Sequence, residues 1–359
     1  MLINTKKLLA TFIAILIAGS SVCAQPKAMQ VLVIGDSNTE NGNITMGLKE
    51  VLDSIYGDHG SGFCTLNPNS TGRTPSSITI SCDSNWSFFD MRNQFTPATG
   101  PYYSPDGLSI SSAIAGAETS VHFSGNAIDL YYLQSPQHNQ FVVMIDGKQK
   151  ETINANTGAY QTKKAVFKNI GPGNHIMSIK VISGNVTLIG IDAKKLAVQK
   201  DQRVVLHKWG NAWASSEDFL HIDKNVFSSA LKELGPDKVV ILLGTNDYNL
   251  DNRNAADFKS NLKELTELVK KALPNTQVMI VSTFNTDGEP SKTILKTYLA
   301  TSFPEAAKET RSFYWDMNNW FGPYDPQKLP DGVHVDAVYG KRIAAELFNQ
   351  LQLMTNYNH

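Results

Sequence analysis

The pattern of apolar and polar positions along the chain changes character twice. Near the start, Val31-Leu32-Val33-Ile34 is an uninterrupted β-branched and apolar run that stops at Gly35-Asp36-Ser37. Such a run predicts a strand buried on both faces, with Ser37 at its carboxyl end. Leu48, Val51, Leu52 and Ile55 then recur at helical spacing and predict a helix over 44–56 that covers the sheet. From Gly57 to about Pro105 the chain is rich in Gly, Ser, Thr and Pro, which predicts loop with short strands. From about Leu108 to Ala193 short alternating runs appear: Thr119-Val121-Phe123, Ile128-Leu130-Tyr132, Phe141-Val143-Ile145, Ile176-Ser178-Lys180 and Val186-Leu188-Gly190. Turn signals such as Asp146-Gly147 separate them, so this stretch predicts an antiparallel β-sandwich. After Lys200 strands alternate with helices again: Val204–Leu206, Val239–Leu243, Val278–Val281 and Phe313–Trp315, with a last helix turning Val338, Ile343, Leu347 and Leu351 inward. The fold class is therefore α/β, a flavodoxin-like five-stranded parallel sheet between helices, with an antiparallel β-sandwich inserted after the first strand. As a self-contained pattern closed by its own turns, the insert is expected to be a separate folding unit.

The expected organisation is a leader at 1–24, an α/β domain from 25–105 and 200–359, and the insert at 106–199. The leader reading rests on Lys6-Lys7, the apolar Leu8–Ala18 and the small residues before Gln25. It implies a secreted or periplasmic protein cleaved after Ala24; the alternative is a lipoprotein anchored through Cys23. No later segment is long and apolar enough to span a bilayer. Losing Lys6 and Lys7 takes the net charge from −1 to −3, which does not suggest nucleic acid or an anionic membrane as partner. The remaining cysteines, Cys64 and Cys82, are expected to pair in an oxidising compartment; the alternative is two buried thiols.

Candidate chemistry gathers at strand ends. Gly244-Thr245-Asn246-Asp247 follows the central strand, Gly210 follows the second, and Asp331-Gly332-Val333-His334 precedes the last helix. A hydrolytic serine needs a base, and histidine suits that role. The histidine needs an acceptor to fix its tautomer, which Asp331 offers from three residues away. Asp331, His334 and Asp336 can also be read as metal ligands, but no second histidine-rich segment accompanies them; neither a metal nor a cofactor is expected. His207 and His221 read as packing or surface residues.

Gly-Asp-Ser, a later glycine, Gly-x-Asn-Asp and a terminal Asp-x-x-His, in that order, resemble the SGNH (GDSL) hydrolases. The resemblance implies Ser37 as nucleophile, His334 as base and Asp331 as its orienting acid. The amides of Ser37 and Gly210 and the side chain of Asn246 would form the oxyanion hole. Gly116 competes with Gly210 for its role. Tyr56-Gly57-Asp58-His59-Gly60-Ser61-Gly62-Phe63, together with the insert, resembles secreted carbohydrate and peptidoglycan O-acetylesterases, in which the insert is similar to a carbohydrate-binding module. The implied substrate is an O-acylated carbohydrate, and Trp209, Trp213 and Trp320 are the candidate sugar contacts. Among the insert aromatics, Trp86, Phe88, Phe89, Tyr102 and Tyr103 are either a sugar surface or local core. The alternatives are a lipase or thioesterase with the same triad, and a carbohydrate-binding protein without catalysis.

Overall fold

The computed structural model of the chain describes residues 29–40, 42–70, 75, 77–196 and 203–356. The leader and Cys23 lie outside the described residues. Strand β1 (Met29–Gly35) buries Val31, Leu32, Val33 and Ile34 completely, as an unbroken apolar run requires. It pairs in parallel with β13 (Val204–Gly210) on one side and β14 (Lys238–Leu242) on the other. β15 (Gln277–Val281) and β16 (Phe313–Trp315) extend the sheet, giving the order β13-β1-β14-β15-β16. This is the 2-1-3-4-5 order of flavodoxin-like folds, with its switch point beside β1.

The helices cover both faces. A short α1 (Ser37–Glu40) leads into α2 (Asn43–Tyr56), which packs Ile44, Leu48 and Leu52 on one face of the sheet with the C-terminal α10 (Ala337–Asn356). The opposite face takes α3 (Ser216–Leu220), α4 (Lys224–Leu234), α5 (Thr245–Asn249) and the long α6 (Ala255–Ala272). Phe258, Leu262, Leu265 and Val269 of α6 are all fully buried there. α7 (Glu289–Thr297) runs through one π-helical turn into α8 (Phe303–Glu309), and α9 (Met317–Phe321) follows β16. On α10, Ile343, Leu347 and Leu351 face inward as expected, whereas Val338 points to solvent.

Among the described residues, eleven strands form the two sheets of the sandwich. One sheet contains β2 (Gly60–Thr65), β4 (Ser87–Asp90), β5 (Leu108–Ser112), β7 (Ala127–Gln134), β10 (Gln161–Phe167) and β12 (Val186–Lys194). The other contains β3 (Ile78–Cys82), β6 (Glu118–Gly125), β8 (Gln140–Ile145), β9 (Lys148–Asn154) and β11 (Gly173–Ser183). The sandwich thus recruits β2, β3 and β4 from before residue 106, where the short alternating run Ile78-Thr79-Ile80-Ser81-Cys82 is surrounded by turn-forming residues. On β11 the inward face is Met177, Ile179 and Val181, opposite in parity to the expected Ile176-Ser178-Lys180.

The sandwich does not stand apart. Phe63, Tyr131, Leu133 and Ile189 share one core with Leu32, Trp209 and Phe227 of the α/β part. Phe63 meets Tyr131 edge-on at 5.4 Å and Trp209 at 6.2 Å, contacts each worth about 0.5–1.5 kcal/mol beyond their buried area. The expected separate folding unit is therefore replaced by a fused one: cutting out 108–193 would strip β12 from β2 and bare this core. The glycine-rich turn after α2 makes the junction possible. Gly62 adopts φ 66°, and a Cβ there would sit 1.8 Å from the Leu206 carbonyl. The expected Cys64–Cys82 disulfide is also corrected. Both thiols are free: Cys64 is buried with its sulfur near the Gly62 carbonyl, while Cys82, on the other sheet, meets the Thr119 hydroxyl at 3.2 Å.

Candidate active site

Gly35 ends β1 because nothing larger fits: a Cβ would lie 2.1 Å from Thr39 Oγ1 and 2.6 Å from the Leu242 carbonyl. The chain turns sharply there. The Asn38 amide donates to the Asp36 carboxylate at 2.9 Å, and the Thr39 and Glu40 amides donate to the Asp36 carbonyl. Asp36 thereby organises the turn and leaves the Ser37 amide for other use. Burial pushes the Asp36 carboxyl up to about 6, against the Asn38 hydrogen bonds and the nearby His334.

The turn presents the Ser37 hydroxyl 2.7 Å from His334 Nε2, across 297 residues of chain. His334 Nδ1 lies 2.7 Å from Asp331 Oδ2. The ring must donate to that carboxylate, which leaves Nε2 as the acceptor for the Ser37 hydroxyl. The other Asp331 oxygen accepts the amides of Val333 (3.0 Å) and His334 (2.7 Å). Partial burial works to raise the Asp331 carboxyl, but the bonds from His334 and Val333 outweigh it and hold it below the ordinary carboxylate value. Asp331 therefore stays ionised and fixes the ring orientation.

Asn246 opens α5 directly after β14 and is nearly buried. Its Nδ2 donates one hydrogen to the Ala214 carbonyl at 2.9 Å, so a second hydrogen remains for a ligand. Its neighbour Asp247 accepts the amide and hydroxyl of Ser216 and lies beside Arg253. That binds α5 to α3. Gly210 ends β13 opposite Gly35. A Cβ on Gly210 would sit 2.4 Å from the Glu40 amide nitrogen, so this glycine permits close packing of β13 on the turn that carries Ser37. It is Asn211 that gives its amide to the Gly35 carbonyl. Gly210 lines a small cavity with Glu40, Cys64 and Lys208, away from Ser37 and His334. Gly116 lies far off in the sandwich, at a turn before β6.

Asn211 to Ala214 form a turn closed by the Ala214 amide on the Asn211 carbonyl. Its third residue, Trp213, has φ 69°, a position of a type II turn where glycine is usual. Holding an aromatic residue there costs about 1–2 kcal/mol. The Trp213 ring is 39% exposed and faces Phe95 at 6.3 Å. Trp320, on α9 at the carboxyl end of the sheet, is also half exposed. Trp209 is corrected: only 1% exposed, it packs edge-on against Phe63 and Phe227 and is a core residue. His207 is likewise buried, accepting the Phe63 amide.

Two supports carried no sequence signal. Buried Glu40, on the turn after Ser37, accepts the Ala212 amide and the Ser70 hydroxyl, tying the Ser37 turn to the Asn211–Ala214 turn. Arg92 is buried between Asp218 (2.6 Å) and Asp251 (2.8 Å), and pins the 90–98 segment to α3 and the end of α5. Neither lies at a motif, and only the tertiary fold brings their partners together.

Residues 192–338 match the GDSL-like Lipase/Acylhydrolase family, a span that holds Asn246, Asp331 and His334 but not Ser37. A solved structure of a peptidoglycan O-acetylesterase superposes with a TM-score of 0.72 at 17% identity, over 92% of both chains. Family two carbohydrate esterases from Cellvibrio japonicus (14% identity, 79% of this chain and 99% of that one) and Clostridium thermocellum (12%, 77% and 99%) give TM-scores of 0.34 each. No curated protein matches the chain.

Proposed function

We propose that the chain, whose residues 192–338 match the GDSL-like Lipase/Acylhydrolase family and whose fold is that of the SGNH hydrolases, is a secreted serine esterase that removes acetyl groups from carbohydrate hydroxyls. The observation that carries the reading is the continuous Ser37–His334–Asp331 hydrogen-bond chain, with both bonds at 2.7 Å. His334 Nε2 takes the Ser37 proton as Oγ attacks the acetyl carbonyl. The oxyanion then forms beside the Ser37 amide and the unspent Asn246 hydrogen. The third donor is the Gly210 amide or that of Trp213, which belongs to the Asn211–Ala214 turn whose Ala214 carbonyl holds Asn246. His334 passes the proton to the departing sugar oxygen, and water repeats the sequence on the acetyl-serine to release acetate. Trp213 and Trp320 are half exposed and offer ring faces to a sugar; Trp209 offers none.

The substrate class rests on the resemblance to a peptidoglycan O-acetylesterase over nearly the whole chain. No helix among the described residues is long and apolar enough to cross a membrane. The test is acetate release from O-acetylated peptidoglycan and O-acetylated xylan, with Ser37→Ala as control. Release by the wild type and background release by the variant is the expected result. Turnover of long-chain acyl esters in preference to both polymers would overturn the substrate assignment.

A further inference from the structure

The Ser37 hydroxyl and His334 Nε2 lie 2.7 Å apart although 297 residues separate them. Each belongs to a rigid unit of its own. Ser37 opens α1, and α1 is fastened to α2 by the Thr45 hydroxyl, which donates to the Thr39 carbonyl at 3.0 Å. His334 and Asp331 sit together on the 325–336 loop, which is closed by the Asp336 amide on the Lys328 carbonyl. Asp336 joins that loop to α10: its carboxylate accepts the Tyr339 amide at 2.7 Å, and its carbonyl accepts the Gly340 amide. The distance from Ser37 to His334 is therefore set where α2 meets α10.

The two helices approach most closely at the end nearest the site. A Cβ on Gly340 would lie 2.6 Å from the Asn43 carbonyl oxygen, and one on Gly47 would lie 3.0 Å from Lys341 Cα and 3.1 Å from Ala344 Cβ. The obstacle at Gly340 is backbone, so a side chain there parts the helices. Beside this crossing Asn43, the first residue of α2, donates from Nδ2 to the Val335 carbonyl at 2.6 Å, across 292 residues. Val335 is buried and follows His334 directly. Ile44 and Leu48 share a core with Ile343 and Leu347, but apolar contact is non-directional and does not fix a position to a fraction of an ångström. Of the other polar links, Lys341 with Glu50 is exposed and Gln352 with Tyr56 lies towards the far ends of the helices. Asn43 alone among these grips the residue next to His334.

We propose that Asn43 is a positioning residue: its bond to Val335, seated by the Gly47–Gly340 crossing, sets the distance between Ser37 and His334. Asp331 and His334 share one loop, so loss of the bond moves both together away from Ser37 and leaves their own 2.7 Å bond in place. The base stays oriented and the nucleophile loses it. Displacing a reacting group by about 1 Å can cost about 10²-fold in rate, far more than one hydrogen bond contributes to folding. Activity and stability should therefore respond differently to changes at this contact.

The proposal deepens the esterase reading and rests on it for its kinetic readout. Asn43→Asp keeps the shape of the side chain, removes the donor and turns a carboxylate on the Val335 carbonyl. A carboxylate is favoured in the first turn of a helix, so the melting temperature should stay within a few degrees of wild type. Gly340→Ala gains helix propensity yet pushes α10 off the Asn43 carbonyl. In the full-length mature protein each should lower kcat on p-nitrophenyl acetate about fivefold or more, with KM little changed. Leu52→Val, in the same core but further along α2, is the control for lost stability alone: it should melt lower and turn over as wild type. If one of the two variants fails to fold, the other decides. A smaller effect on kcat in folded Asn43→Asp or Gly340→Ala overturns the proposal, as does an equal loss in Leu52→Val. Should the wild type hydrolyse no ester, the esterase reading falls, and crystal structures decide this one. The Ser37–His334 separation should then lengthen beyond hydrogen-bond distance in Asn43→Asp; its retention at 2.7 Å overturns the positioning role.

Discussion

Asn246→Ala separates the proposed oxyanion role from a structural one. The side chain has two amide hydrogens and spends one on the Ala214 carbonyl at 2.9 Å. Truncation removes both. The hydrogen facing the crevice is worth about 2.7–4 kcal/mol in the transition state if it meets the oxyanion, a loss of about 10²–10³ in kcat. The bond to Ala214 contributes about 0.5–1.5 kcal/mol to folding, so the melting temperature should fall by only a few degrees. The substituted protein is thus expected to be folded, slightly less stable and two to three orders slower, with KM for p-nitrophenyl acetate little changed. Steady-state kinetics and a thermal melt on one preparation give all three quantities. A kcat within about threefold of wild type, or an effect confined to KM, would refute the reasoning.

Two further outcomes concern the scaffold. Arg92→Met strands the buried Asp218 and the half-buried Asp251 beside it, and should cost about 3–5 kcal/mol in a urea melt; a loss under about 1 kcal/mol would contradict the bracing role. Asp106 is buried and its carboxyl is pushed up to about 7, chiefly by that burial. The folded state therefore favours the protonated acid. This contribution is fully present below the unfolded value of 3.8 and is lost as pH rises through about 7. Asp106→Asn should thus gain stability relative to wild type, by on the order of a few kcal/mol, between about pH 4 and pH 8. A pH-independent difference would contradict it.

What was legible in the sequence was whatever depends on local order. The apolar run of β1, the helical stripes of α2 and α6, and the strand-end position of Ser37 and Asn246 all follow from short-range periodicity. The meeting of Ser37 with His334 is implied by two motifs at the carboxyl side of one parallel sheet. The misreadings share one cause, packing between segments distant in the chain. Trp209 follows a strand and looked available, but the sandwich supplies Phe63 to cover it. Cys64 and Cys82 fall on different sheets of a sandwich whose earliest strands are short and set among turn-forming residues. The left-handed Trp213 could not be foreseen, since an aromatic is a poor sequence signal for φ above zero.

The central claim is that Ser37 becomes acylated with His334 as its base. The most direct measurement is covalent labelling by an alkyl fluorophosphonate, with the modified peptide mapped by mass spectrometry. The account predicts one label per molecule, on Ser37, and almost none on His334→Ala, whose serine has lost the acceptor 2.7 Å away. A label on another serine, or equal labelling of the His334→Ala protein, would contradict it.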